Sequence, residues 1–370
     1  MKAIAIVPGT TQVSLVDRPE PKLSAPDEIK LRVLRVGICG TDREEVAGGR
    51  ADAPPGQKEL VIGHEMFGQV VEVGASVKSA RPGDLGCFTV RRGCGHCPFC
   101  LANRSDLCSS GDYTERGIRK RDGYETEFVV DQEKYFVKVP SDMSSLGVLA
   151  EPMSVSEKAI DEALAIQQAR LGISGPAADW VKGKVALVAG LGPIGLLGAI
   201  ALLLRGAKVL GLDVVDKNTL RPKLLEQFGG TYVDGRETQP AALAPSFGQI
   251  DMIFEATGVA RVEFNLLGAL GINGVYVLTG IPGGDRPLQL DGGALMRQLV
   301  LKNQVMIGSV NAARQHFEMG IADLGRAQAK WGSTVTQLIT HVVPFDHFTE
   351  VLEQHPTNEI KAVIEWSKVG

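Results

Sequence analysis

Short apolar runs of strand length alternate with helix-period segments along the second half of the chain. The strands predicted from these runs cover residues 185–189, 208–213, 231–233, 250–255, 274–279 and 304–309. The helices predicted from apolar positions at helical spacing cover residues 194–206, 220–228, 260–270 and 294–303. This near-regular alternation predicts an α/β fold whose second half is a doubly wound, six-stranded parallel sheet with helices on both faces.

The first 150 residues have a different pattern, because short β-branched runs are separated by clusters of glycine, proline and aspartate. Such runs cover residues 1–7, 29–36, 67–73 and 127–130. They predict a mostly β, barrel-like domain. Helical spacing returns over residues 153–170, and 171–180 are predicted as a linker. Residues 361–366 are predicted to form a strand that packs back on the first domain.

These patterns predict two domains, which agrees with a chain of 370 residues. We place residues 1–155 and 311–370 in the first domain, which includes a cysteine-rich lobe at 93–109. The second domain covers residues 156–310. The uncharged run 185–204 has the length of a transmembrane helix. Because glycines and Pro193 interrupt it after a strand's length, we interpret it instead as a buried strand–helix unit.

Composition adds several expectations. The net charge of −4 does not suggest a nucleic acid or other polyanion as partner. No charged segment followed by an apolar stretch is present at the N-terminus, so we expect a cytoplasmic protein. The six cysteines are expected to be thiolates rather than disulfides.

A glycine-rich turn lies where the first strand of the parallel sheet ends and a helix begins. Its sequence, Gly190-Leu-Gly192-Pro193-Ile194-Gly195, has the spacing of a dinucleotide-binding turn in the strand–turn–helix context that the motif requires. The first glycine permits the turn, the second lets a pyrophosphate approach the backbone, and the third allows close helix–strand packing. The free N–H groups of the helix N-terminus attract phosphate.

Asp213 ends the next strand, about 20 residues beyond the glycine turn, where an acid can accept hydrogen bonds from the adenosine ribose. An acid there also repels a 2′-phosphate, so NAD is favoured over NADP. NADP stays open, because Lys217 and Arg221 follow closely and can pair with a phosphate. The strand end that contains Thr257 and Gly258 is predicted to lie near the nicotinamide.

Four cysteines, Cys94, Cys97, Cys100 and Cys108, lie close together in the chain. Four thiolates at this spacing can complete a tetrahedral shell around Zn²⁺. A shell closed in this way has no open position, so the predicted zinc is structural. An iron–sulfur cluster is the alternative for the same residues.

A second constellation is scattered along the first domain. Cys39 lies in a glycine-rich turn, His64 and Glu65 follow Gly63, and Glu151 precedes Pro152. A thiolate, an imidazole and a carboxylate can hold a catalytic Zn²⁺ and leave one position open. Each residue taken singly also has a structural interpretation. Cys39 can be a buried apolar side chain, His64 a core histidine, and Glu151 a surface carboxylate.

Taken together, these motifs resemble the zinc-dependent medium-chain dehydrogenase/reductase superfamily over nearly the full chain. The matching features are the Gly37-Ile-Cys-Gly-Thr-Asp42 turn, Gly63-His64-Glu65, the four-cysteine lobe and the glycine turn. Within the superfamily, the chain looks most like the glucose dehydrogenases of archaeal type. That likeness rests on the segments Arg91–Gly93, Glu115–Ile118, Ala150–Pro152 and Gly308–Asn311.

The resemblance implies a Rossmann domain joined to a GroES-like catalytic domain, with two zinc ions per chain. It implies Cys39, His64 and Glu151 on the catalytic zinc, and Glu65 close by as ligand or base. Thr41 would relay the substrate proton. Glu115, Glu151 and Asn311 would contact the sugar. Relatives place an asparagine and an aspartate near Val90 and Val155, and valine cannot make their hydrogen bonds.

The function implied is oxidation of an aldose, such as glucose or galactose, at C1 to the lactone, with hydride transfer to NAD(P). The resemblance also implies a homo-oligomer, either a tetramer or a dimer. A polyol or amino-alcohol dehydrogenase on the same scaffold is one alternative. A non-catalytic binding protein with the same fold is another, although the complete set of metal ligands argues against it.

Overall fold

The computed structural model describes residues 1–283, 287–356 and 358–368. The chain clusters into two compact units, the first made of Met1–Ser154, Asn311–Gly325 and Thr336–Gly370, and the second of Val155–Val310 and Arg326–Val335. The sequence prediction grouped residues 326–335 with the first domain. They cluster with the second unit, where the Trp331 ring lies 5.2 Å from that of Phe228.

The N-terminal segment is rich in short strands. Its elements are β1 (Lys2–Ile6), β2 (Val13–Asp17), β3 (Glu28–Ile38), α1 (Gly40–Val46), β4 (Leu60–Val61), β5 (Glu65–Val73), β6 (Leu85–Phe88), β7 (Arg91–Arg92), α2 (Pro98–Leu101), β8 (Thr114–Arg116), β9 (Lys120–Arg121), β10 (Phe128–Gln132) and β11 (Phe136–Val139). The long helix α3 (Ala150–Leu171) follows.

The second unit then alternates strands and helices. Its elements are β12 (Val185–Ala189), α4 (Pro193–Leu204), β13 (Lys208–Asp213), α5 (Leu220–Phe228), β14 (Thr231–Asp234), α6 (Pro240–Phe247), β15 (Ile250–Glu255), α7 (Ala260–Leu267), β16 (Leu270–Leu278), α8 (Gly292–Leu301) and β17 (Val305–Gly308). The last segment contains α9 (Arg314–Trp331), β18 (Ile339–Pro344), α10 (Thr349–Leu352) and β19 (Lys361–Glu365).

The sheet of the second unit has the strand order β14-β13-β12-β15-β16-β17, and every pairing in it is parallel. All five residues of β12 are buried, as the continuous apolar run requires for a central parallel strand. This confirms the predicted six-stranded, doubly wound sheet. Among the described residues, no helix combines the length and the apolar character needed to cross a bilayer.

The larger sheet of the first unit is built around β3, which pairs with β5, β10 and β19. Its main path runs β11-β6-β5-β3-β19-β18. The predicted C-terminal strand therefore joins the N-terminal sheet, since Ala362–Glu365 pair antiparallel with Arg35–Ile38. Two smaller sheets, β2-β1-β4 and β7-β8-β9, complete the unit.

The sequence prediction missed several elements. No helix was predicted over α6, because Pro245 lies inside it and proline disfavours helix interiors. The strands β4, β7 and β9 span two residues each, too few to show any periodicity. Helix α9 was expected only as part of a mixed C-terminal segment.

Candidate active site

Cys39, His64 and Glu65 come together in the first unit. The Cys39 sulfur lies 3.1 Å from Nε2 of His64, and one ligand atom from each of the three residues lies within 4.8 Å of the others. Cys39 is the N-cap of α1, and the backbone N–H of Thr41 donates to its sulfur at 3.2 Å. His64 and Glu65, which are neighbours at the start of β5, thus meet Cys39 at the start of one short helix.

Asp42 orients this cluster and was given no role in the sequence analysis. Its Oδ1 lies 3.3 Å from Nδ1 of His64, and its Oδ2 accepts a hydrogen bond of 2.9 Å from the Cys39 N–H. Burial lowers the pKa of His64, but the Cys39 thiolate and the Asp42 carboxylate raise it more, so its net direction is upward. Sequence could have indicated Asp42 as an acid at the third position of a helix capped by Cys39.

Glu65 is held by Lys361, a residue that the sequence analysis did not single out. The ammonium contacts both carboxylate oxygens, at 2.7 and 2.6 Å, and both side chains are buried. Burial lowers the pKa of Lys361, but the negative charges of Glu65 and Cys39 raise it further, and the net direction is upward. A Cβ at position 37 would overlap the Glu65 carboxylate, so Gly37 is required for this approach.

Glu151 lies in the first turn of α3 and is buried, but it does not belong to the compact group of ligand atoms. Burial raises its pKa to about 7, a shift that His64 opposes and Glu65 reinforces. The site therefore holds two carboxylates in different environments. Glu65 is neutralised by an ammonium group, whereas Glu151 is within electrostatic range of His64 and has no salt bridge among the described residues.

The donor set fits a zinc ion. Sulfur, imidazole nitrogen and carboxylate oxygen are the ligands that Zn²⁺ takes in catalytic sites, where three protein groups leave a fourth position open. A dication would favour the charged forms of Cys39 and Glu151, whose pKa values burial raises. Asp42 Oδ1 also lies 3.3 Å from Nδ1 of His64, the position that carboxylates behind metal-binding histidines take.

The four cysteines of the lobe also converge. The sulfurs of Cys94, Cys97, Cys100 and Cys108 all lie within 4.8 Å of one another, and those of Cys94 and Cys100 are 4.0 Å apart. A tetrahedral site with Zn–S bonds of about 2.3 Å places sulfurs roughly 3.8 Å apart. A Cβ on Gly93 would overlap the Cys100 sulfur, which explains why a glycine precedes the first cysteine of the lobe.

Backbone N–H groups inside the lobe point at its sulfurs. Ser110 and the N–H groups of His96 and Cys97 lower the pKa of Cys94 to about 5. The N–H groups of Cys100 and Ser109 lower the pKa of Cys97 to about 7. These donors favour the thiolate form that a metal requires. All six cysteines are free of disulfides.

Glu115 and Asn311 contact each other, although 196 positions separate them. The Asn311 amide donates to Oε1 of Glu115 at 2.8 Å, and its own oxygen accepts the Ala312 N–H at 2.8 Å. Asn311 has a φ of 63°, a left-handed conformation that asparagine tolerates better than most residues. The two predicted sugar contacts thus form one polar group in the first unit.

The glycine turn has the geometry that its motif predicts. Gly190 has a φ of +86°, and a Cβ on Gly195 would overlap the Gly190 carbonyl oxygen. Gly192 is the N-cap of α4, with Pro193 and Ile194 as the first helical residues. A Cβ on Gly192 would meet open space, so its backbone is accessible to a pyrophosphate.

Asp213 already anchors the glycine turn. Its Oδ2 accepts the Leu191 N–H at 2.8 Å, and its Oδ1 accepts the Val214 N–H at 2.7 Å. Arg221 lies 3.8 Å from Oδ2. The carboxylate is therefore held in place beside the turn, as a ribose acceptor needs to be.

Thr257 and Gly258 follow β15 in a turn organised by Glu255. The Glu255 carboxylate, which is fully buried, accepts the N–H groups of Thr257 and Gly258 at 2.5 and 3.1 Å. Gly258 has a φ of +62° and packs against Ile281. Glu255 was not predicted as a site residue, because an acid at the end of a buried strand carries no local sign of this role.

Known proteins resemble the chain over its full length. A family model described as the C-terminus of glucose dehydrogenase matches residues 144–366, and one described as the alcohol dehydrogenase GroES-like domain matches residues 25–141. Glucose 1-dehydrogenase 2 of Vulcanisaeta moutnovskia is 38% identical, with 99% of both chains covered. Glucose 1-dehydrogenase of Methanocella arvoryzae is 35% identical at the same coverage.

Among solved structures, the chain resembles Haloferax mediterranei glucose dehydrogenase in complex with NADP, Zn and gluconolactone. The TM-score is 0.88 and the identity 34%, and the whole of each chain is covered.

Proposed function

Since the chain belongs to the glucose dehydrogenase family of the zinc-dependent medium-chain dehydrogenase/reductase superfamily, we propose that it oxidises an aldose at C1 to the lactone and transfers hydride to NAD or NADP. One observation carries this proposal. The same chain contains a compact Cys39–His64–Glu65 cluster and a glycine turn whose backbone is open at Gly192. An ion-binding cluster and a dinucleotide turn are what a metal-assisted hydride transfer requires.

The first unit is proposed as the catalytic domain and the second as the cofactor-binding domain. Cys39, His64 and Glu151 would hold the catalytic zinc, and the four lobe cysteines the structural one. Both oxygens of Glu65 face the ammonium of Lys361, so we assign Glu65 to fixing the charge balance of the cluster. Glu151 has no ion pair among the described residues, so it is the better candidate for the carboxylate ligand.

The reaction converts the aldose and NAD(P)⁺ into the lactone, NAD(P)H and a proton. When bound, zinc supplies a Lewis acid that lowers the pKa of the C1 hydroxyl, and NAD(P) supplies the hydride acceptor. The Thr41 hydroxyl is half-buried next to Cys39 and makes no hydrogen bond within the described chain, so it can accept the proton of the substrate hydroxyl. As the C1–H bond breaks, its electron pair leaves with the hydride and C1–O becomes a double bond.

Glu115 and Asn311 are proposed to bind the sugar hydroxyls, with Glu151 near the reacting end. A carboxylate and an amide suit a polyhydroxylated ligand, because together they accept and donate several hydrogen bonds. Val90 is buried and Val155 is half-buried, and neither apolar side chain can add a hydrogen bond. Recognition of the hydroxyls therefore depends mainly on the Glu115–Asn311 pair.

NAD is the proposed preferred cofactor. Backbone N–H groups hold the Asp213 carboxylate beside the glycine turn, so it cannot easily move away from a 2′-phosphate. Its negative charge would repel that group, whereas it can accept hydrogen bonds from a ribose. Arg221, at 3.8 Å from Asp213, gives partial compensation and leaves NADP as a weaker cofactor.

The test is an assay of zinc-loaded enzyme with a panel of aldoses, polyols and amino alcohols, each with NAD and with NADP. We expect aldoses to give the highest kcat/KM, and NAD to exceed NADP. Cys39→Ala should lower kcat at least about a hundredfold with an unchanged Tm, because it removes a ligand of the catalytic ion. Cys87→Ala, at a buried cysteine outside both clusters, is the matched control.

Near wild-type turnover of Cys39→Ala would show that the catalytic site is misplaced. A polyol or an amino alcohol as the best substrate would refute the sugar assignment. A strong preference for NADP would refute the role given to Asp213.

A homo-oligomer and a cytoplasmic location are also proposed. Strand β17 lies at the edge of the six-stranded sheet, and none of the residues of the preceding helix α8 is buried. An edge strand next to exposed apolar side chains suits pairing with a second copy. Six disulfide-free cysteines suit a reducing compartment, which fractionation of cells that produce the protein would test.

A further inference from the structure

Arg91 links the Glu115 carboxylate to the cysteine lobe. It lies on β7 directly opposite Glu115 on β8, and both side chains are nearly buried, with 10% and 12% of their surface exposed. Its Nε and Nη2 donate to the same oxygen, Oε1 of Glu115, at 3.1 and 3.0 Å. Its remaining terminal nitrogen, Nη1, donates to the Asp106 carbonyl at 2.6 Å.

The hydrogen bonds to Glu115 are unevenly divided between its two oxygens. Oε1 receives both bonds from Arg91 and the one from Asn311, whereas Oε2 has no hydrogen-bond partner among the described residues. Three donors on one oxygen fix the rotation of the carboxylate. The second oxygen stays available to a ligand hydroxyl in a defined direction, as pre-organised recognition requires.

The other end of the link is fastened inside the lobe. Asp106 belongs to a single 3-10 turn, Ser105–Leu107, that ends at the ligand Cys108. Arg104 holds the buried Asp106 carboxylate at 2.8 Å, and the Ser105 hydroxyl donates to the Arg91 carbonyl at 3.3 Å. The turn that ends at Cys108 is thus bonded to both the side chain and the backbone carbonyl of Arg91.

The segment that follows Glu115 also lies against the backbone next to His64. A Cβ on Gly117, two residues beyond Glu115, would overlap the carbonyl oxygen of Gly63, the residue before His64. A small shift of this segment therefore moves either the sugar contact or the backbone next to a proposed zinc ligand. A rigid support for Glu115 is a requirement of the site.

We propose that Arg91 is a positioning residue, which fixes the Glu115 carboxylate for the sugar and makes its orientation depend on an intact cysteine lobe. The inference rests on the proposed aldose activity. The guanidinium is needed for its shape as well as its charge, because three nitrogens donate in two directions at once. A lysine has one ammonium group and cannot span both acceptors.

The test compares Arg91→Gln and Arg91→Lys with Arg119→Gln in the zinc-loaded enzyme. Arg119 stacks on the same Tyr113 ring as Arg91 but makes no side-chain bond to Glu115, so it controls for loss of a nearby positive charge. We expect both Arg91 variants to raise KM for the aldose roughly tenfold or more, from the loss of charge-assisted hydrogen bonds. The kcat and the KM for NAD should stay within about threefold, because the loss is one of sugar binding.

A double-mutant cycle shows whether Arg91 acts through Glu115. If it does, Arg91→Gln combined with Glu115→Gln should bind the aldose no more weakly, by calorimetry, than Glu115→Gln alone. Zinc content should remain two ions per chain in the Arg91 variants. A Cys97→Ala change should raise the aldose KM in the wild-type background and add little in the Arg91→Gln background.

Three results would overturn the inference: an unchanged aldose KM in Arg91→Gln, full function in Arg91→Lys, or effects of Arg91 and Glu115 changes that multiply. Loss of zinc in Arg91→Gln would show instead that the residue only holds the lobe together. A wild-type enzyme that oxidises no aldose would refute the proposed function, and the inference with it.

Discussion

Glu45 lies on the buried side of α1, and neither of its carboxylate oxygens has a hydrogen-bond partner within the described chain. Burial, reinforced by the negative charge of Asp42, raises its pKa to about 9. Glu125 is equally buried. One of its oxygens accepts the Trp366 indole N–H at 2.7 Å, and the other has no partner among the described residues. Burial also raises the pKa of Glu125 well above its ordinary value, so both carboxyl groups favour the neutral acid form.

Glu45 makes the free energy of unfolding depend on pH. The native carboxyl group keeps its proton up to about pH 9, whereas the unfolded one loses it near its ordinary pKa of 4.5. Between these values the native state binds more protons, so stability falls as pH rises, by up to about 1.4 kcal/mol per pH unit. Glu45→Gln should therefore flatten the decrease of Tm between pH 6 and pH 9.

The matched control is Glu44→Gln, which changes an exposed neighbouring glutamate. Its pH profile of Tm should run parallel to that of the wild type, as should its response to denaturant. Parallel profiles for Glu45→Gln and the wild type would contradict the neutral, buried state of Glu45.

At the scale of elements, the cysteine lobe is a loop with little core of its own. Its helix α2 spans four residues, none of them buried, and Phe99 and Leu101 are exposed. Packing alone cannot hold such a segment, because it buries little apolar surface. We therefore attribute its order to the metal that the four sulfurs would bind.

Cys97→Ala should lower the zinc content from two ions per chain towards one, and should lower Tm by several degrees. The reason is that three remaining ligands leave a structural site open. Elemental analysis and thermal unfolding measure both effects. Cys87→Ala should keep both ions, and an unchanged Tm in Cys97→Ala would refute a stabilising role of the lobe metal.

At the scale of the whole molecule, both ends of the chain build the proposed catalytic unit. Lys361 pairs with Glu65 across 296 positions, Asn311 with Glu115 across 196, and Trp366 with Glu125 across 241. The returning segment thus neutralises Glu65 and donates a hydrogen bond to each of Glu115 and Glu125. A truncation before β19 is incompatible with this arrangement.

The exposed apolar face of α8 is the basis of a prediction about assembly. Met296, Val300 and Leu301 are exposed by 58%, 75% and 73%. If β17 paired with β17 of a second copy, the unpaired backbone groups of both β17 strands would form hydrogen bonds. The exposed face of α8 would then be covered by the same face of the partner. We expect light scattering to give at least twice the chain mass of 39.4 kDa.

Val300→Lys combined with Leu301→Lys should shift the mass towards that of a single chain, because it places charges in the contact. Leu101→Lys, at a position 72% exposed on the cysteine lobe, is the control and should leave the measured mass unchanged. A single-chain mass for the wild type, or no shift in the double variant, would contradict this interface.

The sequence by itself determined the parts that depend on neighbours along the chain. The strand–turn–helix around Gly190 follows from apolar runs and glycine spacing, and the convergence of Cys94 to Cys108 follows from the short loops between them. The alternation of strands and helices predicted the parallel sheet, because a continuous apolar run of strand length is buried on both faces. Where the local signal was weak, as in two-residue β7 or the proline-containing α6, the prediction failed.

Only the tertiary structure decided which distant side chains meet. Nothing in the local pattern around Lys361 or Arg91 indicates that they hold Glu65 and Glu115, and nothing around Glu151 indicates that it lies outside the compact Cys39–His64–Glu65 group. The physical reason is that hydrophobic periodicity records which face of an element is buried. It carries no information on which charged group from another part of the chain compensates a buried charge.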